Sequence, residues 1–336
     1  MGKRRGILSL ALLVLCFSLC YLGVPASVSA IEPGTAAMYP GGNEDFFAGA
    51  LPPAGTKVFI NYLTYYDSTQ ANGNSGHQAQ INFGGKLGVQ DVDLRLQTLV
   101  DAMRFVDVTK VRILGGDLVW HVIVPVQYLH ASLAAGPVDI GTGTMTALGD
   151  VEFGAGIAWH PSKTFHHVFA VDLVAPTGHY DNSGLGVSTG HNYWGINPLW
   201  AWTYIGDKNS PLPGFEVSSK MMYWYYTVNS ADQYQSGQNV SADYLVGQHF
   251  GPWGFGANGH YLYQITDDKS HGQTAMDPYT GVATGVDSRY FSVGPAIQYE
   301  FPNHGCVTLK WQHDVYAQNY PSGDHFWLKF IWPLPF

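Results

Sequence analysis

Fourteen histidines in a chain of 336 residues are the side chains here best suited to hold a metal ion or to move protons. His160, His166 and His167 lie close together, whereas His121, His130, His249, His260 and His313 fall on separate segments. A zinc site needs three or four converging ligands, usually with recognisable local spacing. Adjacent histidines on a strand point to opposite faces. No such spacing is present, so neither a metal nor any other cofactor is expected. Asp181-Asn182-Ser183-Gly184 and Asp267-Asp268 carry carboxylates in loop-like stretches, but neither fits a calcium-binding loop. Gly141-Thr142-Gly143 lacks the spacing of a phosphate loop. A nucleophile elbow is not expected, and no Ser/His pairing stands out as catalytic. The chain reads as a protein that is not an enzyme.

Charged side chains at alternate positions are more informative. Asp93, Arg95, Glu152, Glu216, Lys220, Asp243, Glu300, Lys310, Asp314 and Lys329 occupy the polar phase of segments whose other phase is apolar. A Lys or Arg facing hydrocarbon at a bilayer's midplane costs about 2–4 kcal/mol, so these groups are expected to point into the lumen of a barrel. There they either pair and fill the interior or line a path for a solute.

The elements that would position them show a period of two. Val92, Leu94, Leu96, Thr98 and Val100 alternate with Asp93, Arg95, Gln97 and Asp101; Val307, Leu309, Trp311 and Val315 oppose Thr308, Lys310, Gln312 and Asp314. Similar segments are expected near 57–67, 112–129, 150–159, 167–176, 193–205, 215–228, 240–250, 255–265 and 291–300, joined by alternately short and long connections. Met221 to Tyr226 reads as an aromatic band at a lipid–water interface. The fold class is all-β, an up-and-down antiparallel transmembrane β-barrel of about twelve strands. A soluble sandwich also alternates, but charged residues make up only 12% of this chain, against about a quarter in soluble domains.

The two ends agree with this reading. Lys3, Arg4 and Arg5, an apolar run from Ile7 to Val24, and Val28-Ser29-Ala30 form an expected signal peptide over residues 1–30, cut after Ala30. Cys306 would then be the only cysteine, which excludes an intramolecular disulfide. Removing Lys3, Arg4 and Arg5 takes the formal charge from −9 to −12, so nucleic acid is not an expected partner. Residues 31–56 lack periodicity and are expected to be a periplasmic lead-in or a partial plug, with the barrel spanning 57–336. Phe326, Leu328, Phe330, Trp332, Leu334 and Phe336 form an unbroken apolar phase on the last strand. That ladder is expected to contact outer-membrane lipid and to serve as the signal read by the barrel-assembly machinery.

Two stretches carry a resemblance. Gly55-Thr56-Lys57-Val58-Phe59-Ile60-Asn61-Tyr62-Leu63-Thr64-Tyr65-Tyr66 is one, and Ile113-Leu114-Gly115-Gly116-Asp117 followed by Val122-Ile123-Val124-Pro125 is the other. They resemble the family known as "protein involved in meta-pathway of phenol degradation", or SphA-like. The resemblance implies an outer-membrane barrel of a Gram-negative bacterium that passes small aromatic or hydrophobic molecules. It brings no catalytic residues. Two alternatives remain at this level: a non-conducting structural or surface-binding barrel, and an outer-membrane enzyme that modifies lipid.

Overall fold

The computed structural model describes residues 38–183 and 185–335, so the expected signal peptide and the assembly-signal residue Phe336 lie outside the described residues. Among the described residues, all regular structure is strand. Twelve strands build the wall: β1 (Lys57–Ala71), β2 (Val89–Ile113), β3 (Gly116–Ala135) and β4, which runs Val138–Leu148, breaks, and resumes as Val151–Trp159. They continue as β5 (Phe165–Ala175), β6 (Gly195–Ile205), β7 (Phe215–Tyr226) and β8 (Asn239–Phe250). The last four are β9 (Trp253–Gln264), β10 (Arg289–Glu300), β11 (Cys306–Gln318) and β12 (Pro321–Leu334). Every neighbouring pair is antiparallel, and Lys57 pairs with both Asp107 of β2 and Leu334 of β12, so the ring closes. Below the outer half of β4, closure lets neighbouring strands satisfy each other's backbone groups without water, as lipid requires.

The alternation in the sequence sorts the two faces. On β11, Thr308, Lys310, Gln312 and Asp314 are buried, while Leu309, Trp311 and Val315 are exposed. On β12, Trp327 and Lys329 are buried, and Phe326, Phe330 and Trp332 stand outside. The outward phase is thus a band of apolar side chains for lipid. Trp253, Tyr299, Phe301 and Trp332 gather at its lower end, where amphipathic rings suit the membrane interface.

Several expectations need correction. Leu114 and Gly115 both have positive φ, 49° and 80°, which makes them a two-residue hairpin turn between β2 and β3. Arg112 and Ile113 therefore end β2 rather than start β3. Gly141-Thr142-Gly143 lies on β4, in a stretch that the sequence pattern did not mark. The aromatic run of β7 is divided between faces: Met221 and Tyr225 face out, but Met222, Trp224 and Tyr226 are buried inside. Connections at the periplasmic end, where β1 begins and β12 ends, are all short. At the outer end, long loops carry 176–194, 227–238 and 265–288, but tight turns join β3 to β4 and β11 to β12, so the expected alternation is incomplete.

Candidate solute cavity and plug

The segment before β1 lies inside the barrel. Asp243 on β8 accepts hydrogen bonds from Tyr39 Oη (2.6 Å) and from the backbone N–H groups of Gly42 and Glu44 (both 2.8 Å). It also meets His260 Nδ1 at 2.7 Å. Across the lumen, Lys310 Nζ pairs with Asp45 (2.9 Å) and donates to the carbonyls of Gly42 and Asn43. Lys329 bridges Glu44 (3.0 Å) and Asp45 (3.3 Å), and Arg104 on β2 closes on Glu44 at 2.7 Å. Glu216 accepts from Phe47 N–H (2.6 Å), and Thr203 Oγ1 accepts from Gly49 N–H (2.9 Å). The described part of residues 31–56, from Met38 on, is thus tied to six strands of the wall, β2, β6, β7, β8, β11 and β12.

This placement explains why interior charges are tolerated. Charges in a dry interior are costly unless paired and hydrogen-bonded. Here Arg104, Lys310 and Lys329 find their partners on the inner segment, at Glu44 and Asp45, whereas Lys220 lies 3.7 Å from Asp172 of the wall. Two glycines let the segment fit. At Gly42 (φ +84°) a side chain would be strained and would strike Gln312. At Gly49 it would strike the backbone of Trp202 on β6.

Of the ten charged residues expected in the lumen, Glu152, Glu216, Lys220, Asp243, Lys310, Asp314 and Lys329 are buried inside the barrel. Glu300 sits at the lower rim, part-exposed, and pairs with His304 at 2.8 Å. Asp93 and Arg95 are not inside. On that stretch of β2, above the membrane band, Val92 is fully buried and the polar phase faces out, with Arg95 paired to Asp67 at 3.2 Å. The phase inverts because the outer ends of β2, β3 and β4 enclose an apolar cluster of their own, with Val92, Ala131 and Leu133 packed against Leu185 and Val187.

Beside the inner segment, whose Phe46, Phe47, Ala50 and Leu51 help to line it, a cavity of about 360 Å³ reaches the periplasmic rim. Its walls are apolar: Val58, Ile60, Val106, Val168, Leu199 and Ile331 among them. Its inner end is polar, formed by Glu44, Arg104, His121, Asp172, Lys220 and Lys329. The outer mouth is covered by loops. Tyr234, Ala275 and Val286 pack together there, and Asp268 beneath them accepts from Tyr234 Oη, Gly237 N–H and Gln264 Nε2.

The wall has a seam. The outer half of β4 pairs only with β3, because β5 begins pairing with β4 at Ala175 opposite Val151. A loop covers the free edge: His179 N–H and Thr189 Oγ1 both donate to the carbonyl of Leu148. Leu185 and Val187 lie against Gly141 and Gly143, where any Cβ would crowd them.

Two groups escaped the sequence reading. His121, Glu152 and Asp172, on β3, β4 and β5, come together and are all buried. Their separations in sequence follow strand spacing rather than a local motif, so no pattern search finds them. Gly186-Val187-Ser188-Thr189-Gly190 does match Gly-x-Ser-x-Gly, but it lies in the loop over the seam rather than at a strand-to-helix turn. Ser188 Oγ is held by the backbone of Asp181 on both sides, at 2.8 and 3.0 Å.

A family model described as "Putative MetA-pathway of phenol degradation" matches residues 69–330. The structure is similar to that of the COG4313 outer membrane channel from Pseudomonas putida F1, with TM-score 0.66 and 14% identity, over 89% of this chain and 100% of that one. Weaker likenesses, too low to bear on the argument, are to the Pseudomonas putida toluene transporter TodX (TM-score 0.37, 10% identity, 90% of this chain and 96% of that one) and the β domain of the Bordetella autotransporter BrkA (0.43, 10%, 83% and 100%). No curated protein matches the chain in sequence. This chain and the COG4313 channel thus share one fold, a closed antiparallel β-barrel.

Proposed function

Since the chain belongs to the "Putative MetA-pathway of phenol degradation" family, we propose that it is a passive outer-membrane channel for small molecules with a mostly apolar body, aromatic compounds included. The supporting observation is the cavity: about 360 Å³, within the roughly 300–1,000 Å³ typical of small-molecule sites, with apolar walls and one polar end. A porin for hydrated ions would need a wet, polar bore. The plug of residues 38–50 holds this channel shut at rest, and solute passes when it shifts. The COG4313 protein is itself described as an outer membrane channel, which agrees with this reading.

The test compares the full chain with a variant lacking residues 38–50, each in planar bilayers and in solute-loaded liposomes. The full chain should be closed or open only briefly, and the variant should pass small aromatic solutes steadily. A folded, plug-less barrel that admits neither ions nor aromatic solutes ends the channel reading and favours a non-conducting barrel. The same reading takes residues 1–30 as a leader removed after Ala30, checked by sequencing the N-terminus of the membrane-inserted protein. It also takes the apolar phase of β12 as the signal for the barrel-assembly machinery.

A further inference from the structure

His121, Glu152 and Asp172 project into the barrel from three neighbouring strands, β3, β4 and β5, and offer one nitrogen and two carboxylate oxygens within 4.8 Å of one another. The register makes the cluster. His121 pairs with Gly154, and Gly154 pairs with Asp172, so the two side chains meet above a residue that has none. A Cβ at Gly154 would fall onto both. His121 Nε2 and Asp172 Oδ1 are 2.9 Å apart, and Glu152 lies two residues along β4.

Three buried polar atoms in this one cluster have no hydrogen-bond partner: His121 Nδ1, Glu152 Oε1 and Asp172 Oδ2. Buried polar groups are almost always satisfied, so three orphans together point to an occupant. The charges point to its sign. Arg104 is committed to Glu44 at 2.7 Å, which leaves Lys220, 3.7 Å from Asp172, as the nearest uncommitted cation for two carboxylates. An imidazole with two carboxylates is a donor set for borderline first-row metals. Lys220 has somewhere to go, since its ammonium already lies over the Tyr39 ring, 4.5 Å from the centroid. We propose that His121, Glu152 and Asp172 bind a divalent transition cation, of the zinc or manganese class, in the barrel wall at the polar end of the cavity. This inference does not rest on the transport reading.

The test uses the full chain in detergent, stripped with chelator and dialysed. Zn²⁺ is titrated calorimetrically, Co²⁺ is followed by its visible absorption, and bound metal is counted by mass spectrometry. The expected result is a single equivalent per chain, with a cobalt spectrum of mixed nitrogen and oxygen ligation. Glu152→Gln and Asp172→Asn should each weaken binding by more than the roughly 10–100-fold that loss of an outer-shell partner costs. His166→Ala, near the periplasmic end of β5, should leave it unchanged. Heat-modifiable gel mobility confirms that each variant is folded. If the wild-type chain takes up no metal, the occupant is a proton and the proposal fails, whatever the variants do. If uptake survives in folded Glu152→Gln and Asp172→Asn, the ion sits elsewhere and the proposal fails as well.

Discussion

Lys310 shows how one residue ties the plug to the wall. Its ammonium is buried and fully committed, to Asp45 and to two backbone carbonyls of the plug. Lys310→Met removes the cation but leaves Asp45 in the dry interior with Lys329 alone. Breaking such a buried pair costs about 3–5 kcal/mol. Because the plug is the less anchored partner, the cost should fall on its docking rather than on the wall. The expected outcome is protease cleavage within residues 38–50 of a barrel that otherwise keeps its heat-modifiable mobility. Lys310→Arg should restore protection. Cleavage equal to wild type in the Met variant would show that the remaining contacts suffice.

Strands and loops answer to different physics. On β12, Leu328 sits midway along the strand, paired with Leu63 and Leu309, all on the lipid phase. Leu328→Lys should cost about 2–4 kcal/mol of insertion stability, read by unfolding titrations in lipid vesicles. Arg95→Ala should change stability by no more than about 1 kcal/mol, because its pair with Asp67 is solvent-exposed. The outer loops carry a pH dependence instead. Burial pushes the Asp268 carboxyl up to about 7, against the opposing hydrogen bonds from Tyr234, Gly237 and Gln264. An unfolded Asp titrates near 3.9, so the folded loops hold a proton that the unfolded ones release. This contribution is therefore complete below about pH 4, declines as pH rises towards 7, and is gone above it. Amide protection in residues 265–288, that is, exchange relative to its intrinsic base-catalysed rate, should fall between pH 4 and 7 and then level off. Asp268→Asn should flatten that profile.

For the molecule as a whole, the seam beside β4 is where the wall depends on side-chain packing instead of a hydrogen-bonded ladder. An unpaired strand edge is a liability for wrong pairing, so the covering loop must stay down at rest. Gly143 and Val187 are close enough there that a Cβ at Gly143 would touch Val187. A Gly143→Cys/Val187→Cys pair, in a Cys306→Ser background, should therefore form a disulfide. If small apolar solutes leave the barrel sideways through this seam, oxidation should stop their uptake into liposomes from the plug-less variant and reduction should restore it. Uptake indifferent to oxidation would place the whole route along the barrel axis.

The sequence by itself determined the wall. The phase of Leu309 and Trp311 against Lys310 and Gln312 is local, so strand class and a count of about twelve follow from pattern; the membrane setting needed the scarcity of charge, the expected leader, the apolar last strand and the alternating loop lengths beside it. Seven of the ten charged residues expected in the lumen are buried inside for the same reason. Tertiary structure decided the rest. Asp93 and Arg95 turn outward because β2 rises above the bilayer, where an apolar loop cluster, not lipid, sets which face is dry. The plug has no periodicity, because it pairs with side chains from β2, β6, β7, β8, β11 and β12 instead of with a neighbouring strand. His121, Glu152 and Asp172 lie far apart along the chain, and only the register of β3, β4 and β5 brings them into one cluster.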